Sequence, residues 1–389
     1  MLRVIAVSTR YPDRLRPGYG APVERQMLEL AARPGIEVQV LVPLARAPFP
    51  LSRFDKRNRF DTLPREEVRH GLRVHRPRFP VLPRFGPSSR ALAFALLPTV
   101  RALHAEAPFD LVSAEFFWPE GPAAIALGRA LGIPVSIKAR GQEFELTVKR
   151  TGGRRRLLAA GLEAAGLLAV SEDVKTAMAA IGLPAERIEV HYPAVDTELF
   201  AIRDRAAAKA ALRLSGPVLL TVGNLTRVKQ QRLAVEALCH LPEATLVVAG
   251  SGPEDGALRR RAHELGVAQR VRMMGSVPHA LLPAFYNAAD VLLHCSAVEG
   301  FANVRLESLA CGTPLVTTAA GEARRSVNRK EAGQIVPADP CALAEGARSL
   351  LAAPPDRTAT RSAALDFTWR RATEQLEAYF RALAGGGGS

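Results

Sequence analysis

The sequence predicts two α/β domains in tandem, each built on a parallel sheet with helices on both faces. Three observations predict it. The chain has 389 residues, 48% of them hydrophobic, more than one ordinary core takes up and enough for two. Short apolar runs alternate with stretches of helical spacing along most of the length, which is the pattern of strand–helix–strand units. The alternation lapses between Pro193 and Ser215 and then starts again. Domains of residues 1–195 and 196–365 follow from it.

In the first half, residues 4–7 (Val-Ile-Ala-Val) are a continuous apolar run, and Arg3 to Val7 reads as the first strand. Pro12, Pro17, Gly18 and Gly20 break the chain into a loop, after which 23–32 has helical spacing and 38–42 is the next strand. Residues 45–90 are rich in Pro, Arg and Phe with weak periodicity and read as a long, partly irregular excursion. Beyond them, helices are expected over 91–105, 121–131, 159–165 and 172–180, and strands over 111–114, 135–139, 167–170 and 188–191. The second series has strands at 218–222, 244–249, 271–274, 291–295 and 314–318. Its helices are expected at 232–239, 255–265, 281–287, 304–310, 341–352 and 369–383. Residues 385–389, Gly-Gly-Gly-Gly-Ser, read as a flexible end outside the fold.

Composition narrows the function classes. The chain carries 52 Lys plus Arg against 38 Asp plus Glu, a formal charge of +14. Such a balance fits a polyanionic partner, or arginines spread over solvated faces. No aromatic-basic RNA-binding motif and no zinc-finger spacing accompanies it, so no nucleic-acid partner is expected. Cys239, Cys295, Cys311 and Cys341 form no C-x-x-C pair and read as buried thiols of a reducing compartment. The N-terminus runs straight into a strand, without the features of a signal peptide, and no apolar run approaches the roughly 20 residues that span a bilayer. A cytoplasmic protein is expected; the basic stretches 53–59 and 149–156 fit an anionic inner membrane face or a lipid-diphosphate acceptor, and equally solvated loop charge.

The strongest motif is Glu299-Gly-Phe-Ala-Asn-Val-Arg-Leu-Glu307, followed by Ser-Leu-Ala-Cys-Gly-Thr-Pro-Leu-Val. It follows a strand and opens a helix. Backbone N–H groups of residues 300–304 would then sit at a helix N-terminus, where anions bind. Carboxylates on either side would accept from sugar hydroxyls; otherwise Glu299 is a cap and Glu307 a surface residue. As glycosidase acids, two carboxylates eight positions apart on one loop–helix segment could not flank a glycosidic bond. No Asp-x-Asp is present, so no metal is expected. No G-x-G-x-x-G follows the first strand, which disfavours a dinucleotide oxidoreductase.

The Glu-x7-Glu spacing with Ala-Cys-Gly-Thr-Pro resembles the signature of retaining glycosyltransferase family 4. Gly250-Ser-Gly-Pro253, Gly275-Ser-Val-Pro278, Tyr286-Asn-Ala-Ala-Asp290 and Glu331-Ala-Gly-Gln-Ile-Val-Pro337 are similar to that family's flanking segments. Thr9-Arg-Tyr-Pro12, Pro17-Gly-Tyr-Gly20, Val23-Glu-Arg-Gln26, Phe117-Trp-Pro-Glu-Gly121 and Ala139-Arg-Gly141 resemble a bacterial polysaccharide branch.

The resemblance implies the GT-B fold, two Rossmann-like domains facing across a cleft, with the C-terminal helix, 366–384, returning to the first domain. It implies metal-independent hexosyl transfer from a nucleoside diphosphate sugar to a polysaccharide or lipid-linked glycan, with no cofactor besides the donor. A catalytically silent subunit of this fold or a sugar-nucleotide epimerase are the other readings.

By the same resemblance Glu299, Lys229 and Glu143 are catalytic, Lys229 neutralising the leaving diphosphate. Gly300, Phe301, Ala302, Asn303, Glu307, Asn224, Arg227, Gly252 and Val277 bind the donor, Glu307 by accepting from the ribose. Gly18, Gly20 and Arg140 lie on the acceptor side. An ordinary surface lysine, ordinary turns and a strand-end turn are the plain alternatives for Lys229, for the glycines and for Arg140 with Glu143. Four positions depart from the family pattern: Asn224 stands where an arginine is usual, Gln230 where a glycine is usual, Ala320-Gly-Glu-Ala-Arg324 in place of Gly-Gly-x-x-Glu, and Gln142-Glu143 in place of an Asp or His-Asp. Arg227 is the candidate to replace the missing arginine.

Overall fold

A computed structural model describes residues 1–47, 56–81 and 88–386. The chain divides at Pro193 and Ala372 into two units, Met1–Tyr192 with the chain end from Ala372, and Pro193–Arg371.

The strands of the first unit are β1 (Leu2–Val7), β2 (Ile36–Leu41), β3 (Leu44–Arg46), β4 (Glu66–Arg69), β5 (Leu72–His75), β6 (Arg78–Pro80), β7 (Leu111–Ala114), β8 (Val135–Ala139), β9 (Gly166–Ala169) and β10 (Ile188–Val190). Its helices are α1 (Ala21–Ala31), α2 (Ser89–Glu106), α3 (Glu120–Leu131), α4 (Gln142–Val148), α5 (Gly153–Glu163) and α6 (Glu172–Ala180). Eight strands form one sheet in the order β10-β9-β8-β7-β1-β2-β5-β4, parallel except for the antiparallel edge strand β4. Side chains alternate across β1. Ile5 and Val7 join Leu92, Leu96, Phe117 and Leu157 on one face, and Val4 and Ala6 join Met27, Leu30 and Phe380 on the other. Helix starts follow local chemistry: the Ser171 side chain accepts from Val174 N to cap α6, and Gly20 in the left-handed region opens α1.

In the second unit the strands are β11 (Val218–Val222), β12 (Thr245–Ala249), β13 (Val271–Gly275), β14 (Val291–His294), β15 (Leu315–Thr317) and β16 (Gly333–Ile335). The helices are α7 (Arg205–Ala211), α8 (Gln231–Ala237), α9 (Asp255–Glu264), α10 (Leu282–Ala288), α11 (Asn303–Ala310), α12 (Ala323–Ser326), α13 (Pro340–Ala352) and α14 (Arg357–Ser362). All six strands are parallel, in the order β13-β12-β11-β14-β15-β16. The last helix, α15 (Trp369–Gly385), starts at the end of this unit and packs Leu376 and Phe380 into the core of the first.

Several expectations need correction. The excursion over 45–90 contains the β4–β5 hairpin, and β5 extends the main sheet beside β2; residues 48–55 and 82–87 lie outside the described residues. The helix expected at 159–165 begins at Gly153, and α4 precedes it. Cys295 and Cys311 are buried, but Cys239 and Cys341 are exposed because each sits where a helical segment meets solvent. Helix α15 continues to Gly385, and residues 387–389 of the expected flexible end lie outside the described residues. Among the described residues no helix is long and apolar enough to cross a membrane.

Truncating Phe380 to Ala would remove a fully buried ring, at a cost of about 3–5 kcal/mol. Urea unfolding of the variant should show the first unit's transition moved to lower denaturant and the second unit's transition in place.

Candidate functional site

In an open parallel sheet, ligands bind beyond the carboxyl ends of the strands where the strand order reverses. In the second unit that point lies between β11 and β14. The loop after β11 carries Asn224, Arg227 and Lys229, and the loop after β14 carries Glu299 and leads into α11. The loops are tied together, Ala297 N donating to Val228 O at 2.8 Å.

Lys229 and Glu299 meet as an ion pair at this point. The same carboxylate oxygen accepts from Ser296 Oγ at 2.9 Å and from His294 Nε2 at 3.3 Å. Burial alone would push the Glu299 carboxyl up, but the His294 hydrogen bond and Lys229 hold it at about 2. His294 is itself kept below its ordinary value, by burial first and then by Arg305 and Lys229. Glu299 is therefore an ionised acceptor throughout the neutral range.

The backbone around the pair leaves no room for side chains. Gly321 has φ +55°, and a Cβ there would lie 2.3 Å from Glu299 Cβ. A Cβ on Gly250 would lie 1.9 Å from Gly223 O, and one on Gly252 would lie 2.3 Å from Leu225 O. The strand-end loops are thus packed backbone to backbone. Gln230, directly after Lys229, has φ +48°, a conformation that costs a non-glycine residue about 1 kcal/mol.

Helix α11 starts without a side-chain cap at Ala302, so the peptide groups around Gly300, Ala302 and Asn303 lie at an uncapped N-terminus. Phe301 turns inward, its ring centroid 5.4 Å from that of Phe367. Glu307, one turn further on, is buried and not a surface residue. His279 Nε2 donates to one oxygen at 2.9 Å and Tyr286 Oη to the other at 2.8 Å. Val277, half-buried, lies two residues before His279.

The first unit reverses its strand order between β7 and β1. Here Glu120, fully buried at the start of α3, accepts from Thr9 N at 2.7 Å and Thr9 Oγ1 at 2.6 Å, closing the β1 loop onto α3. Gly20, in that loop, has φ +81°, and a Cβ would lie 2.2 Å from Arg10 O. Gly18 is exposed with nothing within 4 Å of a Cβ, so its own chain does not require a glycine there.

After β8, Glu143 accepts from Arg140 N at 3.2 Å and Phe117 N at 3.3 Å, the strand-end turn considered for it. Burial pushes its carboxyl to about 7, and Glu120 adds to the rise. The Arg140 guanidinium binds Glu115 Oε2 at 2.6 Å and Gln26 Oε1 at 3.1 Å. Lys138 shares this network, donating to Gln26 Oε1 at 2.8 Å, and burial lowers its ammonium to about 7.

A profile described as Glycosyltransferase Family 4 matches residues 18–199, and one described as Glycosyl transferases group 1 matches residues 202–367. D-inositol 3-phosphate glycosyltransferase 1 of Catenulispora acidiphila is 30% identical over 321 residues, 74% of this chain and 76% of that one. The chain belongs to glycosyltransferase family 4. A D-inositol 3-phosphate glycosyltransferase of Mycobacterium bovis is 32% identical over 229 residues, 55% of this chain and about half (48%) of the relative's length. The structure of Anabaena HepE in complex with UDP and glucose aligns with a TM-score of 0.76 at 20% identity, over 98% of this chain and all of that one. The fold is GT-B.

Of the residues singled out in the sequence, the second unit brings together Lys229, Glu299 and the 300–303 segment, with Glu307 further along α11. Arg227 is not among them: its side chain is 92% exposed and lies 3.6 Å from Glu254. Asn224 is exposed, its carbonyl accepting from Gln231 Nε2 at 3.1 Å. Three participants were missed. Arg305 is fully buried and donates to Ala320 O and Gly321 O, holding the loop that packs on Glu299. His294 and His279 hold the two glutamates. The only signal for Arg305 was an arginine inside an otherwise apolar helix face. Among the described residues no group of three or more His, Cys, Asp and Glu side chains is arranged to hold a metal ion.

Glu143 generates a pH test. A carboxyl raised in the fold from its ordinary value to about 7 favours the folded state at acid pH, and that advantage is lost as pH rises through 7. Glu143→Gln keeps the acceptor oxygen and removes the charge. Thermal unfolding should show the variant melting a few degrees above the wild type at pH 8.5, and near it at pH 5.

Proposed function

We propose that the chain is a retaining glycosyltransferase that moves a hexose from a nucleoside diphosphate sugar to a polysaccharide or lipid-linked glycan. The observation that carries this is the convergence of Lys229, Glu299 and the uncapped α11 N-terminus where the strand order of the second unit reverses.

Cleaving a glycosyl–phosphate bond builds negative charge on the leaving diphosphate. A fixed ammonium and helix-terminal N–H groups stabilise that charge, and this stabilisation replaces a metal in the proposed reaction. Glu299, held ionised, accepts from hydroxyls of the transferred sugar. Glu307 accepts from the ribose, the Val277 backbone faces the base, and Gly252 keeps the neighbouring loop close. On the acceptor side, Glu143 is a carboxyl whose protonation changes near neutral pH, and Arg140 holds the adjacent Glu115. UDP is the first nucleotide to try, since HepE was solved with it. The names of the relatives add a phosphorylated polyol to the acceptors to try, an anionic class that suits the basic chain.

The acceptor reading extends to an anionic membrane face. Phe94, Leu146 and Leu162 are exposed on α2, α4 and α5, and Lys149, Arg150, Arg154 and Arg155 are exposed beside the α4–α5 turn. Of the basic stretch 53–59, residues 53–55 lie outside the described residues. Each basic side chain near an anionic surface contributes about 1 kcal/mol. Exchanging Arg154 and Arg155 together for Gln should weaken co-sedimentation with phosphatidylglycerol vesicles at least tenfold, and salt should do the same to the wild type. Salt-insensitive sedimentation, or none, would remove the membrane from the proposal.

Calorimetric titration with UDP, GDP and their common sugars tests the donor site. One nucleotide should bind selectively, and Glu307→Ala should weaken it by about tenfold or more. Binding of none of them would instead favour a silent GT-B subunit.

A further inference from the structure

Both carboxylate oxygens of Glu307 are held from the side, by His279 Nε2 at 2.9 Å and by Tyr286 Oη at 2.8 Å. An ionised carboxylate has about four lone-pair positions, so two remain for other hydroxyls. The two holders are unlike. Tyr286 is fully buried on α10, and burial together with the Glu307 charge keeps its hydroxyl protonated and donating. The His279 side chain is 56% exposed, on the turn that follows Val277 and Pro278 at the end of β13. Phe200 stands edge-on to both rings, 5.1 Å from His279 and 5.9 Å from Tyr286. The imidazole is thus seated against a buried wall while open to solvent.

We propose that His279 is a positioning residue for the nucleotide: its N–H fixes the rotation of the Glu307 carboxylate, so that the free lone pairs meet the hydroxyls of the ribose. The inference rests on the reading of the second unit as the donor site. The terminal torsion of a glutamate is broad and weakly restrained. With Tyr286 alone the carboxylate pivots about one hydrogen bond; with His279 as well it is pinned at both oxygens. Preorganisation of this kind appears as affinity because the acceptor is not ordered at the moment of binding.

The test is a cycle between a side chain and a ligand group. UDP, or GDP if the wild type selects guanine, is titrated beside its 2′,3′-dideoxy form against wild type, His279→Leu and His279→Gln. Leucine keeps the packing on Phe200 and removes the donor; glutamine restores an N–H near the position of Nε2. In the wild type, loss of the ribose hydroxyls should weaken binding about tenfold or more. In His279→Leu the normal nucleotide should bind about tenfold more weakly, and loss of the hydroxyls should then cost no more than about twofold. His279→Gln should recover most of the affinity and most of the hydroxyl dependence. A His279→Leu protein that keeps both the affinity and the full hydroxyl dependence of the wild type would overturn the positioning role while leaving the donor site standing. Absence of nucleotide binding by the wild type would overturn both.

Discussion

A charge buried at a strand end must be matched or given up, and the second unit is organised around a carboxylate that is matched. Glu299 lies where β11 and β14 diverge, with Lys229 against it and His294 and Ser296 on the same oxygen. Gly321 can pass behind it only because it has no Cβ, and the buried guanidinium of Arg305 holds that passing loop by its carbonyls. Helix α11 then starts next to the pair with its first N–H groups uncapped by any side chain. A cation, an anion and a helix N-terminus within one loop cluster are suited to a ligand that carries both hydroxyls and phosphate.

The first unit treats its buried carboxylates in the opposite way. Glu143 accepts from backbone N–H groups alone, and burial with the neighbouring Glu120 drives it toward the neutral acid. Glu115, equally buried, is held ionised by Arg140 and Lys138 against the cost of burial. Two carboxyl groups a few residues from one sheet edge therefore differ in charge near pH 7, and only Glu143 titrates there. Such a separation is a frequent mark of an acid–base site, and also of a packed polar core. The network that ties Arg140 to Glu115 and Gln26 gives the arginine a structural task whatever else it does.

Most of the fold was legible because parallel strands buried on both faces appear as short, mainly apolar runs, as in 111–114, 135–139 and 218–222, whose limits agree with β7, β8 and β11. The β4–β5 hairpin was not legible: Glu66, Glu67, Arg69 and Arg73 occupy a half-exposed edge, where charge guards against further pairing and hides the strand signal. Helices α4 and α5 were obscured by Lys149 and Arg150 between them and by Arg154, Arg155 and Arg156 in the first turn of α5. The Glu-x7-Glu motif marked its loop and helix correctly. It could not show that Glu307 would be gripped by His279 and Tyr286, since those contacts come from the turn after β13 and from α10, far off in sequence. Gln230 stood out as a departure because glycine is usual there; its left-handed backbone supplies the physical reason.

In the proposed reaction Lys229 and Glu299 act on the donor as it departs. Steady-state kinetics of Lys229→Ala with the selected nucleotide sugar tests it most directly. An interaction made mainly with the developing diphosphate charge should cost about 100- to 1000-fold in kcat with little change in KM for the donor. A variant that keeps the wild-type kcat would contradict it and return Lys229 to being a structural partner of Glu299.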